Sequence, residues 1–355
     1  MTPPKIFLTG ASGYIAGDVL HALLTTHPTW ENRITLLLRP GKESYIPRFK
    51  SVYPTINTFI AELDDVGAIA NEVAKHGIVL HFALSADHLL SARAIVAGLS
   101  RRGGGVYIHT SGTDVLLDPG ERVYESAEGV RVRVFDDWEG IGSLRSLPDA
   151  AAHREVDKYV LSSSSSSSTL KTAIVCPSTV YGIGRGLISQ RSHQIPNLTR
   201  LILQEAKGLQ LSDGETFWNS VHVYDLSRLY VRLIEGAIAE VDAGSTSSSR
   251  GSITWNEEGY YLVESGIYHW GDIARRITAE AYRLSLVPSG EVRIVGMEDR
   301  DVFKTAGRPV VNYSVAAKAI RARKLLDWSP VEGSLEDGIP DIVKAEARAL
   351  GLLQS

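Results

Sequence analysis

The stretch that decides the fold is Thr9-Gly10-Ala11-Ser12-Gly13-Tyr14-Ile15-Ala16-Gly17, close to the amino terminus. It lies between an apolar run and a segment with apolar residues at helical spacing. Gly10 permits a tight turn, and Gly13 lets the backbone approach a pyrophosphate. The following helix would offer unpaired N–H groups to that phosphate. The pattern predicts a dinucleotide-binding turn, with contacts from Thr9, Gly10, Ser12, Gly13, Tyr14 and Ile15.

Outward from this turn, short apolar runs alternate with amphipathic stretches through the first half of the chain. Such alternation is typical of an α/β fold with a doubly wound parallel sheet. The predicted strands are Lys5 to Thr9, Arg33 to Leu38, Thr58 to Ala61, Ile78 to Phe82, Val106 to Thr110 and Thr172 to Cys176. The predicted helices are Tyr14 to Thr26, Val66 to His76, Asp87 to Arg101 and Ala151 to Leu161.

After Tyr181 the alternation fades, and helical stretches are separated by longer polar segments. We expect a nucleotide-binding domain over residues 1–181 and a smaller carboxy-terminal substrate-binding lobe over 182–355, with a segment near 219–240 returning to the core. Predicted helices of this half are Ile195 to Lys207, Tyr224 to Ala239 and His269 to Tyr282. The serine run Ser162 to Ser168 and the stretch Thr246 to Arg250 are predicted to be loops.

The composition of the 355 residues, 44% hydrophobic and 22% charged, is that of an ordinary globular protein. The net charge of -4 provides no basic surface for nucleic acid. No apolar run reaches the roughly 20 residues of a membrane span, and no signal peptide is expected, so the predicted location is cytoplasmic. The single cysteine, Cys176, is predicted to be a buried strand residue. No metal site is predicted, and the oligomeric state is not indicated.

Several further motifs follow in a fixed order. They are Glu62-Leu63-Asp64, His81-Phe82-Ala83, Thr110-Ser111-Gly112, Cys176-Pro177-Ser178-Thr179-Val180-Tyr181-Gly182 and Val221-His222-Val223-Tyr224-Asp225-Leu226. Together with the glycine turn they resemble the extended short-chain dehydrogenases/reductases of the NAD-dependent epimerase/dehydratase type, with features of the NmrA-like regulators. Ala16 departs from the third fingerprint glycine. The resemblance implies a Rossmann fold, a catalytic Ser111, and further cofactor contacts at Leu63, Asp64, Ala83, Pro177 and Val180.

The residue at the end of the second strand determines whether NAD or NADP is preferred. An acidic residue there would bind the ribose diol of NAD. This chain has Arg39 there. A guanidinium can bind a 2′-phosphate with two hydrogen bonds, so NADP is the predicted cofactor. The alternative is that Arg39 is a solvated loop residue.

The family's catalytic tyrosine and lysine form a Tyr-x-x-x-Lys motif, one helical turn apart. In His153-Arg154-Glu155-Val156-Asp157-Lys158 the matching lysine is Lys158, predicted to bind the nicotinamide ribose, and Arg154 replaces the tyrosine. An arginine is a poor proton donor near neutral pH, whereas a histidine exchanges protons there. His153 is therefore a candidate acid, and capping or packing at the helix start is the alternative. In this register, loss of Lys158 should harm activity more than loss of Arg154.

Three functions agree with these observations. The first is an NADP(H)-dependent oxidoreductase that acts on a bulky small molecule bearing a carbonyl, imine or activated alkene, since hydride transfer needs chiefly the cofactor and positioning. The resemblance to the epimerase/dehydratase type implies a role in specialised metabolism. The second is a redox-neutral isomerase, cyclase or epimerase that uses the same cofactor site. The third is a non-enzymatic NADP(H) sensor similar to the NmrA-like regulators.

Overall fold

The computed structural model describes residues 4–117, 133–163, 169–243, 253–306 and 314–354. The strands are β1 (Ile6–Thr9), β2 (Ile34–Leu38), β3 (Asn57–Ile60), β4 (Ile78–His81), β5 (Gly105–Thr110), β6 (Val134–Asp136), β7 (Leu170–Pro177), β8 (Thr179–Tyr181), β9 (Gly208–Leu211), β10 (Phe217–His222), β11 (Tyr260–Val263), β12 (Gly266–His269), β13 (Val292–Val295) and β14 (Ala316–Lys318). The helices are α1 (Tyr14–Thr26), α2 (Ile46–Val52), α3 (Val66–Val73), α4 (Leu89–Arg102), α5 (Ile141–Arg145), α6 (Arg154–Ser163), α7 (Gln194–Glu205), α8 (Val223–Ala243), α9 (Trp270–Arg283), α10 (Arg321–Leu325) and α11 (Leu335–Ala349).

The central sheet has seven parallel strands in the order β3-β2-β1-β4-β5-β7-β11. The direction in which successive strands are added to the sheet reverses between β1 and β4. Such a switch point is where α/β folds bind ligands. The predicted doubly wound parallel sheet is confirmed. The carboxyl ends of β1, β4, β5 and β7 therefore meet at one edge.

Each face of the sheet is covered by helices because successive strand side chains point to opposite sides. In β1, Ile6 and Leu8 pack into one buried cluster and Phe7 into the other. The first cluster includes buried residues of α1 and α8, and the second includes those of α3, α4 and α6. This packing fixes the positions of the α1 and α6 amino termini at the carboxyl edge of the sheet.

The carboxy-terminal half contributes to both the sheet and a separate lobe. Strand β11 pairs with β7, and α8 packs along α1. The lobe itself contains a three-stranded sheet in the order β12-β10-β8 and a parallel pair of β13 with β9, beside α7, α9 and α11. A further parallel pair joins β14 to β6. In the ranges described above, no helix combines the length and apolarity that a membrane span needs.

Some predicted boundaries are wrong. Helix α4 begins at Leu89 rather than Asp87, and α6 begins at Arg154 rather than Ala151. The first two serines of the predicted loop, Ser162 and Ser163, end α6 as helical residues, while 164–168 and the stretch 246–250 lie outside the described residues. Cys176 is fully buried in β7 as predicted, and burial raises the pKa of its thiol.

Candidate active site

The glycine turn forms an open backbone cradle between β1 and α1. Gly10 has φ +79°, and a Cβ built on it would lie 3.0 Å from the backbone nitrogen of Ala83. At Gly13 such an atom would lie 3.1 Å from the carbonyl oxygen of Gly10. Helix α1 has no side-chain cap at Gly13, so its first N–H groups face the cradle. These residues fit the diphosphate of a dinucleotide.

Other residues that the sequence predicts to contact the nucleotide surround this cradle. Thr9 Oγ1 accepts hydrogen bonds from the backbone nitrogens of Phe82 (3.0 Å) and Ala83 (3.1 Å), which tie the end of β1 to that of β4. Ser12 is half-buried within the turn. Burial raises the pKa of Tyr14, whose hydroxyl donates to the Gly182 carbonyl at 2.7 Å.

The residues expected near the adenosine lie at the ends of β2 and β3. Arg39 is exposed directly after β2 and forms an ion pair with no acidic residue among those described. Leu63 is half-buried against the core. The exposed Asp64 carboxylate lies 2.9 Å from His88 Nε2. A 2′-phosphate can therefore reach Arg39 without breaking an existing ion pair.

A cavity of about 330 Å³ adjoins the cradle. Four predicted cofactor contacts and one predicted catalytic residue lie in its wall: Tyr14, Ile15, Pro177, Val180 and His153. The wall is completed by Gly112, Thr113, Asp114, Ser178, Thr179, His193, Gln194 and Trp218. From the carboxy-terminal half, His193 and Trp218 reach this cavity, whereas Tyr260 and Tyr261 lie in the buried strand β11.

His153 precedes α6 and faces the segment that follows β5. Its Nδ1 lies 2.7 Å from Asp87 Oδ1, and a Cβ built on Gly112 would lie 3.5 Å from its Nε2. With the proton on Nδ1 donated to Asp87, Nε2 carries a lone pair on the side of Gly112, which also lines the cavity. The residue has φ +64°, a strained conformation that non-glycine residues adopt mainly at turns and functional sites. The arrangement orients a histidine as a proton acceptor.

Asp157 lies four residues after His153, fully buried behind Ser111. Its Oδ2 accepts hydrogen bonds from Ser111 Oγ (2.9 Å) and from the Tyr260 hydroxyl (2.7 Å). Burial, followed by the nearby Asp157, raises the pKa of Tyr260, which therefore remains a donor. His109 Nε2 lies 3.6 Å from Asp157 Oδ1. This network fixes the Ser111 side chain.

Ser111, the predicted catalytic serine, lies behind the cavity lining. The residue follows β5 as predicted, but it is only 6% exposed and directs its hydroxyl proton to Asp157. The residues that line the cavity begin one position later, at Gly112. Ser111 is therefore a buried support of the site in this arrangement.

Neither Arg154 nor Lys158, the two α6 residues of the predicted motif, is among the described residues that line the cavity. Lys158 is on the outer surface, where its side chain is 57% exposed and its Nζ lies 2.7 Å from Asp149 Oδ1. Arg154 is buried, and its guanidinium donates to the carbonyl oxygens of Leu147 and Arg145. Asp157 on α6 and His153 immediately before the helix lie toward the site instead. The four-residue spacing of the family motif is retained, displaced by one residue.

Replacing Lys158 with alanine is expected to leave NADPH affinity and turnover unchanged. Lys158 is not among the described residues that line the cavity, and an exposed ion pair contributes little to stability. Calorimetric titration with NADPH and a thermal melt of the variant test this expectation. A large loss of NADPH affinity would show that Lys158 turns inward when the cofactor binds.

The sequence analysis did not identify three acidic residues of the site: Asp87, Asp114 and Asp157. Asp87 lies in the loop between β4 and α4, and Asp114 in the short 3-10 helix Thr113–Leu116. For Asp157 the sequence does contain a signal, because the spacing of His153 and Asp157 equals that of the expected tyrosine and lysine. Pairing of His153 with Asp87 joins residues 66 positions apart, which no local pattern reveals.

The fold and the position of this cavity define a dinucleotide-binding α/β protein. A family model described as the NAD-dependent epimerase/dehydratase family matches residues 148–243. The oxidase ucsJ of an Acremonium species is 34% identical over 98% of this chain and 99% of its own length. The chain belongs to the NAD-dependent epimerase/dehydratase family, and it is an NAD-binding, oxidoreductase-like enzyme of that family.

Solved structures share the architecture at low identity. A dTDP-glucose 4,6-dehydratase from Streptomyces venezuelae matches with a TM-score of 0.65 and 16% identity, covering 97% of both chains. A UDP-glucose 4-epimerase from Thermotoga maritima, solved with UDP-glucose, matches with a TM-score of 0.63 and 14% identity, covering 98% of this chain and 99% of its own. At this identity the likeness establishes the fold.

Proposed function

We propose that this chain is an NADP(H)-dependent oxidoreductase in which His153, instead of a tyrosine, exchanges a proton with a small-molecule substrate. The pairing of His153 with Asp87 at the cavity wall carries the proposal. Tyr14 and Ile15 line the cavity, so the nicotinamide end of a dinucleotide held by the glycine turn would enter it. The cofactor supplies the hydride acceptor or donor.

The protein residues bind the cofactor and exchange the proton. The glycine turn and the start of α1 hold the diphosphate, and Arg39 binds the 2′-phosphate. His153 accepts the proton of a substrate O–H or N–H group in the oxidative direction and returns it in the reductive one. The Asp87 carboxylate stabilises the protonated ring. The name of the 34% identical relative, an oxidase, supports substrate oxidation as the working direction.

The structure favours catalysis over nucleotide sensing. A sensor needs the cradle but has no use for an oriented histidine and carboxylate at the wall of a neighbouring cavity. The test is nicotinamide absorbance during incubation of the protein and NADP⁺ with alcohols and amines small enough to share the cavity of about 330 Å³ with the nicotinamide. A change in absorbance is expected. Tight NADP⁺ binding without change for any compound would support the sensor or redox-neutral alternatives.

Replacing Arg39 with aspartate is expected to invert or abolish the preference for NADPH over NADH. A charge-assisted hydrogen bond contributes about 1.5 to 3 kcal/mol, so the affinity for NADPH should fall by about 10- to 100-fold. Calorimetric titration of both cofactors measures the ratio. Arg33, at the opposite end of β2, is the matched control, and its replacement with aspartate should leave that ratio unchanged. Equal affinity of the unchanged protein for both cofactors would refute the assignment.

A further inference from the structure

A second cavity, of about 230 Å³, is formed by α7, α11 and the segment 182–192 that follows β8. Its described lining has no residue in common with that of the candidate active site. Helix α11 contributes residues that recur at intervals of three and four positions and therefore share one face: Ile342, Ala345, Glu346 and Ala349. The second cavity is thus a separate feature of the carboxy-terminal lobe.

The wall that the segment 182–192 provides is fixed by its own hydrogen bonds. The backbone nitrogen of Gly184 donates to the carbonyl oxygen of Gln190 at 2.8 Å, and the side chain of Gln190 donates to the carbonyl oxygen of Gly186 at 3.1 Å. Arg185 Nη2 lies 2.6 Å from Oδ1 of the buried Asp18 on α1. A wall that is already formed lowers the ordering cost of binding a ligand.

A cluster of three charged side chains adjoins the second cavity. Glu346, which lines it, is only 3% exposed. Its Oε1 accepts a hydrogen bond from Arg191 Nε at 2.6 Å, and its Oε2 accepts one from Arg200 Nε at 2.9 Å. A single carboxylate between two guanidinium groups leaves one net positive charge. Because both carboxylate oxygens already accept hydrogen bonds, the cluster suits an anion better than a cation.

Arg191 also offers an unused hydrogen-bond donor. The residue lines the second cavity, and its Nη2 is enclosed by protein without a hydrogen-bond partner among the described residues. Its Nη1 donates to the carbonyl oxygen of Ser192 at 3.3 Å. Buried polar groups are nearly always paired, so an unpaired buried donor indicates a water, ion or ligand that it binds. For a guanidinium the strongest acceptor is an anion such as a carboxylate.

Other lining residues form an apolar wall beside this donor. Pro196 of α7 and Ile342 of α11 are buried, whereas Ile183 is 51% exposed. An apolar cavity of about 150 Å³ is large enough to bind benzene. The larger volume of the second cavity therefore admits a six-membered ring together with one small polar group.

From these contacts we propose that the second cavity binds a small molecule with an apolar body and one carboxylate. The carboxylate accepts a hydrogen bond from Arg191, and the body lies against the apolar wall. The juxtaposition of an unpaired, enclosed guanidinium donor with an apolar cavity and a net positive charge carries the inference. The site goes beyond the proposed function and does not depend on it.

Binding of three matched probes to the full chain tests the inference. Cyclohexanecarboxylate is an anion at neutral pH, cyclohexanecarboxamide has nearly the same shape and no charge, and cyclohexylmethylamine is a cation. Calorimetry should give at least about 10-fold tighter binding of the carboxylate than of either other probe, the ratio that one charged contact supplies. Saturating NADP⁺ should not displace it, since the two cavities are lined by different residues. Equal affinities, preference for the amine, or binding of no probe would overturn the proposal.

A charge-removing variant assigns the preference to Arg191. Arg191→Gln should lower the affinity for the carboxylate about 10-fold and leave that for the amide unchanged. The matched control is Arg283→Gln, which removes a guanidinium paired with Glu280 on α9, and it should preserve the preference. If Arg191→Gln kept the full preference for the carboxylate, the assignment would be wrong.

A second variant tests the location without touching the charged cluster. Ala345 is exposed on the lining face of α11, so Ala345→Phe places a ring in the second cavity while the chain should still fold. Binding of the carboxylate should be lost. Arg348→Phe, at an exposed α11 position that is not among the described lining residues, should leave binding intact. Unchanged carboxylate binding by Ala345→Phe would place the probe elsewhere and overturn the site.

Discussion

Replacing His153 with alanine is expected to lower turnover by about 10²- to 10⁴-fold, the usual contribution of a positioned acid or base. NADP⁺ affinity should be unchanged, because the cradle residues around Gly10 and Gly13 do not contact this side chain. Steady-state nicotinamide absorbance and calorimetric titration measure the two quantities separately.

The matched control is His27, another histidine paired with a carboxylate. Its Nε2 lies 2.8 Å from Glu235, between α1 and α8 and away from the cavity. His27→Ala should leave turnover unchanged. His153→Tyr restores the family's usual residue type at this place, and we expect it to shift activity toward ketones. Full turnover by His153→Ala would show that another group exchanges the proton.

Replacing Arg154 with alanine is expected to destabilise the fold by about 2 to 5 kcal/mol. The buried guanidinium donates to the buried carbonyl oxygen of Leu147 (3.1 Å) and to the part-buried one of Arg145. The loss combines an unpaired buried acceptor, which costs about 1 to 3 kcal/mol, with the lost packing of the buried apolar stem. Urea unfolding followed by circular dichroism measures the loss. A variant as stable as the unchanged chain would contradict the structural role assigned to Arg154.

Arg154→Met separates volume from hydrogen bonding, because it keeps the apolar stem and removes every donor. It should be nearly as destabilised as the alanine variant. The nearby Arg145 pairs with the exposed Glu257, and Arg145→Ala should cost little because surface ion pairs contribute little. We thus expect the loss of Arg154 to be more harmful than the loss of Lys158. The sequence alone suggested the reverse for activity.

Local patterns predicted the nucleotide half well. Helix α1 has the predicted bounds, Tyr14–Thr26, because the glycine turn and the helical spacing are both local signals. Strand β11 was missed, since Tyr260–Val263 is a short apolar run whose partner β7 lies more than 80 residues earlier. Nothing local indicates that such a run extends a sheet.

The face of α6 could not be assigned from the family motif. Arg154 and Lys158 have the spacing of the expected tyrosine and lysine, but so do His153 and Asp157. Tertiary packing distinguishes the two pairs of residues. Arg154 donates to a buried backbone carbonyl, and Lys158 remains at the surface. The helix orientation therefore depends on partners in distant parts of the chain.

A crystal structure of the NADP⁺ complex tests the central claim most directly, because it shows which face of α6 meets the nicotinamide. We predict diphosphate at the glycine turn, the 2′-phosphate against Arg39, and the nicotinamide in the cavity beside His153, with Lys158 still at the surface. A nicotinamide ribose bound by Lys158, or a nucleotide bound outside this cavity, would contradict the account.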